Sequence, residues 1–190
     1  MPSVKSVSVA DNIIELYKKH GSSEYAGEKI TQLQHMVQAA GIATHGGYDD
    51  EIILAAFLHD IGHICVAGNA GNTMNNFGII DHEKIGSDFL AKRGFSERIT
   101  RLVENHVAAK RYLTFKNAEY FNGLSEASKK TLEYQGGKMN AAEALLFEED
   151  ELFTDFIIMR HCDEMAKQED YPVKETLDYF HKLIINHLEK

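Results

Sequence analysis

The chain has 190 residues, 44% hydrophobic and 26% charged, which places it among folded globular proteins of one domain and outside the disordered class. Its formal charge of −9 argues against a nucleic-acid-binding surface, which needs a basic stripe, but leaves room for a small anion held by a few local cations. No apolar run approaches the ~18 residues of a membrane span, and the N-terminal stretch lacks the apolar region of a signal peptide. Cys65 and Cys162 make no metal-binding or redox spacing and suit a reducing compartment. The expectation is a cytoplasmic protein, a monomer or small homo-oligomer, with no membrane or nucleic-acid partner.

Only Pro2 and Pro172 punctuate the chain, and apolar residues recur at helical spacing throughout. A first helix is predicted from about Asp11, with Ile13, Ile14, Leu16 and Tyr17 on its apolar face, stopping at Gly21. A second spans about Glu28 to Thr44. Asp49 and Asp50 open a third, Glu51 to about Ile61, which is apolar all round and therefore central. The glycine- and asparagine-rich stretch 65–80 reads as a loop, after which Asp81 caps a helix ended by Gly94. Ser96 starts a helix through Tyr112, and Ser125 a shorter one closing at Gly136–Gly137. Asn140 with Glu143 matches a capping box, and the last helices are about Glu151–Lys167 and Val173–Leu188. The fold class is all-α, a single helical bundle over residues 1–190.

Ten histidines stand out, and the central signal is His59-Asp60-Ile-Gly-His63, directly after seven apolar residues. An ionised aspartate buried there without a partner costs several kcal/mol, and a metal ion is the obvious compensation. Further candidates are His35 beside Met36 and Val37, His82 after the glycine-rich loop, His106 in Leu-Val-Glu-Asn-His-Val, and Asp163 in Met-Arg-His-Cys-Asp. Singly, each histidine reads as readily as a satisfied core or surface residue. As a set on successive helices they read as ligands. Lys110 lies one helical turn after His106, on the same face. Ser128, Thr131 and Gln135 follow i, i+3, i+7 spacing; with Lys110 and His63 they can surround a small oxyanion without a phosphate loop. Lys129, Lys130 and Glu133 make the better solvent face of that helix. No dinucleotide or P-loop motif is present.

The order His35, His59-Asp60, Asp163 resembles the HD-domain superfamily, whose helical bundle holds a metal with these four ligands. His82 and His106 match the subset that binds a second metal, bridged by Asp60. The stretches Tyr25-Ala-Gly-Glu28, Gln-Leu-Gln-His35, His106-Val-Ala-Ala-Lys110-Arg-Tyr-Leu and Ser-Lys-Lys-Thr-Leu-Glu-Tyr-Gln-Gly-Gly137, together with Arg160 and Asp163, resemble the mixed-valent diiron oxygenases that degrade organophosphonates. The resemblance covers nearly the whole chain. It implies two iron ions, Fe(II) and Fe(III), with O2 as co-substrate. The implied reaction is cleavage of the C–P bond of a 1-hydroxy-2-aminoethylphosphonate-type substrate, giving phosphate and glycine or a derivative such as its N-trimethylated form. Tyr25 and Glu28, in a lid segment of about residues 22–30, would be a pair in which Tyr25 occupies the second iron until substrate displaces it and Glu28 meets the amine. Tyr25, Glu28, His63, Lys110, Ser128, Thr131, Gln135 and Arg160 are the expected substrate contacts. The alternative is a two-metal HD phosphohydrolase acting on a nucleotide or phosphomonoester with the same ligands.

Overall fold

A computed structural model describes residues 2–25, 27–66, 74, 78–172 and 174–190. Among them the chain forms helices α1 (Val4–His20), α2 (Gln32–His45), α3 (Asp50–Leu58), α4 (Ile61–Cys65), α5 (His82–Ala91), α6 (Glu97–Lys116), α7 (Ala118–Gly123), α8 (Glu126–Tyr134), α9 (Ala141–Glu148), α10 (Phe153–Met165) and α11 (Leu177–Leu188). An isolated antiparallel bridge joins Glu24 and Thr31. The chain is all-α. No helix among them is long and apolar enough to cross a membrane.

The apolar run Ile52–Leu58 makes α3 the centre of the bundle, buried on every side. It packs against α2, α6, α10 and α11. The Phe57 ring is sandwiched between Tyr17 of α1, at 4.6 Å, and Phe180 of α11, at 3.9 Å, and the Tyr17 hydroxyl donates to the Phe57 carbonyl at 2.6 Å. Helices α1 and α11 thus cover one flank of α3, while α2, α6 and α10 converge around its C-terminal end, where His59 and Asp60 lie.

Element boundaries follow the caps. Ser3 Oγ accepts from the Ser6 N–H, so α1 starts seven residues before the expected Asp11. A capping box of Thr31 and Gln34 starts α2 at Gln32 rather than Glu28, leaving residues 28–30 in a bend. Asp49 caps α3 and the Asn140–Glu143 box caps α9, as the sequence predicts. Helix α3 does not run to Ile61: it ends at Leu58, and Asp60, at φ −99°, ψ 12°, sits in a break before α4. Helix α6 continues past Tyr112 to Lys116, and α7 is an additional turn. Asp81 precedes α5 in the left-handed region, φ 59°, with no side-chain capping bond, so its expected capping role does not hold. The loop expected over 65–80 falls largely on residues 67–73 and 75–77, outside those described, and so does the expected helix start at Val173; α11 begins at Leu177 under a Thr176 cap.

Helix α4 rides close on α5. A β-carbon on Gly62 would lie 1.9 Å from the backbone carbonyl oxygen of His82, so only glycine permits this approach.

Candidate metal centre

Six donors reach one point of the bundle from five helices or their ends. His35 stands in the first turn of α2, His59 and Asp60 in the break between α3 and α4, His82 at the start of α5, His106 in mid-α6 and Asp163 in the last turn of α10. All six are buried.

They fall into two groups that share Asp60. In the first, His35 Nε2 lies 3.0 Å from His59 Nε2 and 3.2 Å from Asp163 Oδ1, and His59 Nε2 lies 3.3 Å from Asp60 Oδ2. In the second, His82 Nε2 lies 3.1 Å from His106 Nε2 and 3.2 Å from Asp60 Oδ1, with His106 Nε2 3.6 Å from that oxygen. One carboxylate oxygen of Asp60 therefore faces each histidine pair. The other ring nitrogens settle the tautomers. Nδ1 donates to the Ala166 carbonyl in His35 (2.8 Å), to Ala56 in His59 (2.8 Å), to Ile79 in His82 (3.1 Å) and to Val103 in His106 (2.7 Å). With Nδ1 committed to a carbonyl, it is Nε2 of each ring that faces inward and is placed to bind a cation.

Acceptors packed 3 Å apart repel unless a cation, proton or metal ion, lies among them. Asp163 Oδ1, buried and without a hydrogen-bond partner among the described residues, is one more such acceptor. Burial opposes ionisation of Asp60 and Asp163, yet His59 holds both carboxyls well below the usual range, with His82 adding to the effect on Asp60 and Arg160 leading it on Asp163. The donor set fits two cations, and imidazole with carboxylate suits iron, manganese or zinc. His63 differs from the other four. Its Nδ1 accepts the Ile79 N–H at 3.1 Å, which places the proton on Nε2, 3.9 Å from Asp60 Oδ1. Burial, then the neighbouring His82, keeps His63 neutral, so it presents a donor rather than a lone pair.

A cavity of about 60 Å³ opens onto this centre, lined by Tyr25, Glu28, His63, Lys110, Ser128, Thr131, Gln135 and Arg160, with Lys167 among others. Lys110 is almost wholly buried, and its Nζ donates to Thr131 Oγ1 at 2.7 Å and Gln135 Oε1 at 3.0 Å. Desolvation, with Arg160 nearby, lowers its pKa to about 7. Ser128 is buried while Lys130 and Glu133 are exposed, so α8 turns its hydroxyl face inward. Glu28 Oε1 accepts from Ser125 Oγ at 2.6 Å. The Tyr25 ring stacks on His35, centroids 3.9 Å apart, and burial, then Asp60, raises its phenol well above the usual value. Residues 22–25 and 27–30 form a short hairpin, with Tyr25 N–H donating to Ile30 O and Glu28 N–H to Tyr25 O, both at 2.8 Å; Ala26 is outside the described residues. Arg160 reaches the cavity wall, but its guanidinium is already engaged by Asp163, Glu164 and Tyr120. A second lysine was missed by sequence reading: Lys167 Nζ donates to Ser128 Oγ at 2.8 Å and pairs with Glu164 at 2.7 Å. Its signal is present, since Arg160, Asp163, Glu164 and Lys167 repeat at i, i+3, i+4, i+7.

The HD domain family matches residues 32–147. The chain is 41% identical over 179 residues, 90% of its length and 86% of the relative's, to a 1-hydroxy-2-(trimethylamino)ethyl phosphonate dioxygenase (glycine-betaine-forming) of Leisingera caerulea. It is 39% identical over 170 residues, 88% of its length and 83% of the relative's, to a hydroxymethylphosphonate dioxygenase of Gimesia maris. The chain belongs to the HD-domain phosphonate dioxygenase family. It is also 44% identical over 180 residues, 95% of its length and 82% of the relative's, to an uncharacterized protein, L432, of Acanthamoeba polyphaga mimivirus. As an HD-domain dioxygenase the chain is an oxygenase, and its clustered histidines and aspartates are compatible with a metal site. The family match ends before Asp163 and begins after Tyr25 and Glu28, so these residues rest on the longer pairwise likenesses and on the geometry above.

Proposed function

We propose that the chain is a diiron oxygenase that uses O2 to cleave the C–P bond of a 1-hydroxy-2-aminoethylphosphonate-type substrate, giving phosphate and glycine or an N-methylated glycine. The observation that carries the reading is Asp60 turning one oxygen to each of two histidine pairs, beneath a small cavity lined by lysine, hydroxyl and carboxylate groups. His35, His59, Asp60 and Asp163 hold the first iron; Asp60, His82 and His106 hold the second. Bound iron supplies the redox capacity to activate dioxygen against the substrate.

The chain's own residues bind, orient and exclude water. Lys110 gives a charge-assisted hydrogen bond to the phosphonate, with Ser128, Thr131 and Gln135 completing the cradle and His63 donating from Nε2. Glu28, freed from Ser125, meets the amine. Tyr25, packed over His35, closes the cavity to water and yields its place to substrate. Arg160 holds Asp163 in orientation and, with five N–H groups for three partners, keeps donors at the cavity wall for a substrate oxygen. The reaction balances with one O2 per bond cleaved: C1 is oxidised to a carboxylate and phosphorus leaves as phosphate.

The relatives named for hydroxymethylphosphonate and for the trimethylated aminoethyl compound mark two ends of the substrate range. A carboxylate at position 28 favours a cationic substrate. A panel of hydroxymethylphosphonate, 1-hydroxy-2-aminoethylphosphonate and its trimethylated form, assayed for phosphate and amino-acid product, tests this. We expect the two amines to be turned over in preference; preference for hydroxymethylphosphonate would contradict the amine contact.

A further inference from the structure

The ligand histidines are not alike behind the centre. His35, His59 and His106 each have a backbone carbonyl on Nδ1, at 2.8, 2.8 and 2.7 Å. His82 has a longer contact of this kind, 3.1 Å to Ile79, and a second acceptor beside it: Glu83 Oε2, 3.3 Å from the same Nδ1. That carboxylate oxygen is fully buried, and no hydrogen-bond donor among the described residues satisfies it. An unsatisfied buried carboxylate oxygen costs free energy unless positive charge nearby offsets it. Asp60 and Asp163, the two acidic ligands, do not by themselves neutralise two divalent ions, so a further negative charge just outside the second group is electrostatically favoured.

We propose that Glu83 is a positioning residue for the second ion: its carboxylate stands as a second acceptor beside the His82 Nδ1–H that Ile79 already takes, holds the ring by its charge and makes Nε2 a stronger donor to the cation held by Asp60, His82 and His106. The inference rests on the two-metal reading above. A carboxylate behind a ligand imidazole raises its basicity more than a carbonyl does, and loss of such a partner typically lowers metal affinity by ~10–100-fold. Among the described residues the other three histidines have none on Nδ1, so the effect is confined to the second ion.

The test is bound iron per chain after the iron-loaded full chain is equilibrated with graded chelator. Wild type should lose its iron in two steps. Glu83→Gln, isosteric but uncharged, should lose the second ion at about 10- to 100-fold lower chelator activity and the first as in wild type; Glu83→Ala should behave like it or worse. Wild type holding two ions, with both variants releasing them at wild-type chelator activity, overturns the role of Glu83 alone. Wild type holding one ion overturns the two-metal reading and the inference with it. Should the variants not fold, ¹⁵N-histidine NMR of the iron-depleted wild type decides. An Nδ1–H of His82 shifted downfield of the other three ligand imidazoles supports the contact, and one indistinguishable from them overturns it.

Discussion

Lys110 carries its charge in a place that disfavours charge. Desolvation brings its pKa to about 7, so in the free protein it loses its proton as pH rises through neutrality. Phosphonate binding needs the protonated form, so kcat/KM should fall above pH ~7, by up to tenfold per unit. Lys110→Met should keep its iron, bind phosphonate about 10- to 100-fold more weakly, and lose that limb of the profile. The substrate's own ionisation affects both proteins equally, so their difference isolates the lysine. Matching profiles would show that Lys110 is not a phosphonate contact. Glu28 admits a similar subtraction. Glu28→Gln should weaken 1-hydroxy-2-aminoethylphosphonate but leave hydroxymethylphosphonate nearly unchanged; equal losses on both would make Glu28 structural. At this scale residue type was legible in the sequence, and hydrogen-bonding state was not. Five histidines could be named as site residues, but only the backbone partner of each Nδ1 separates the four that turn Nε2 inward from His63: a carbonyl of the preceding turn for His59, His82 and His106, and a distant backbone atom for His35 and His63.

At the scale of elements, precision of the centre depends on where helices begin and end. The sequence caps at Asp49, Ser96, Ser125 and Asn140 are visible as residue types and hold in the structure. The break at His59–Asp60 was not visible, because nothing in Leu-His-Asp-Ile-Gly-His stops a helix; tertiary packing sets it. Its requirement is the close approach of α4 to the start of α5. Gly62→Ala must push the His82 carbonyl aside and should destabilise the fold by at least about 1–3 kcal/mol, or roughly 2–12 °C in Tm. Because His82 moves with it, the second ion should be weakened more than the first. An unshifted melting curve would mean that α4 relaxes freely. Thr31→Ala removes half of the α2 capping box and should cost about 1 kcal/mol, a smaller shift readable in the same melt.

For the whole molecule, the centre ties α2, α3, α5, α6 and α10 together where the hydrophobic core gives way to a cluster of like lone pairs. Without cations, Asp60 and Asp163 raise His59 to about 9 against the desolvation that burial imposes and Asp60 raises His82, while burial and His82 lower His106 to about 3, so each histidine pair faces a charge conflict that a bound cation would relieve. Chelation should therefore lower Tm, and adding Fe(II) anaerobically should restore it. The all-helical class was readable from periodicity, and the candidate metal ligands from the burial of a His-Asp pair, the recurrence of histidines on successive helices and the family resemblance. The shared use of Asp60 by two groups was readable only through family resemblance, since it depends on the direction of each carboxylate oxygen.

The central claim is that this centre breaks a C–P bond with dioxygen, and it is tested most directly by measuring oxygen uptake and phosphate release together. The iron-loaded protein should be given 1-hydroxy-2-aminoethylphosphonate in an oxygen-electrode cell, with phosphate assayed in parallel. The account requires one O2 consumed per phosphate released, with glycine as the carbon product and no phosphate formed under argon. Phosphate released without oxygen uptake would show hydrolytic chemistry, and oxygen uptake without phosphate would show oxidation that leaves the C–P bond intact; either result contradicts the claim.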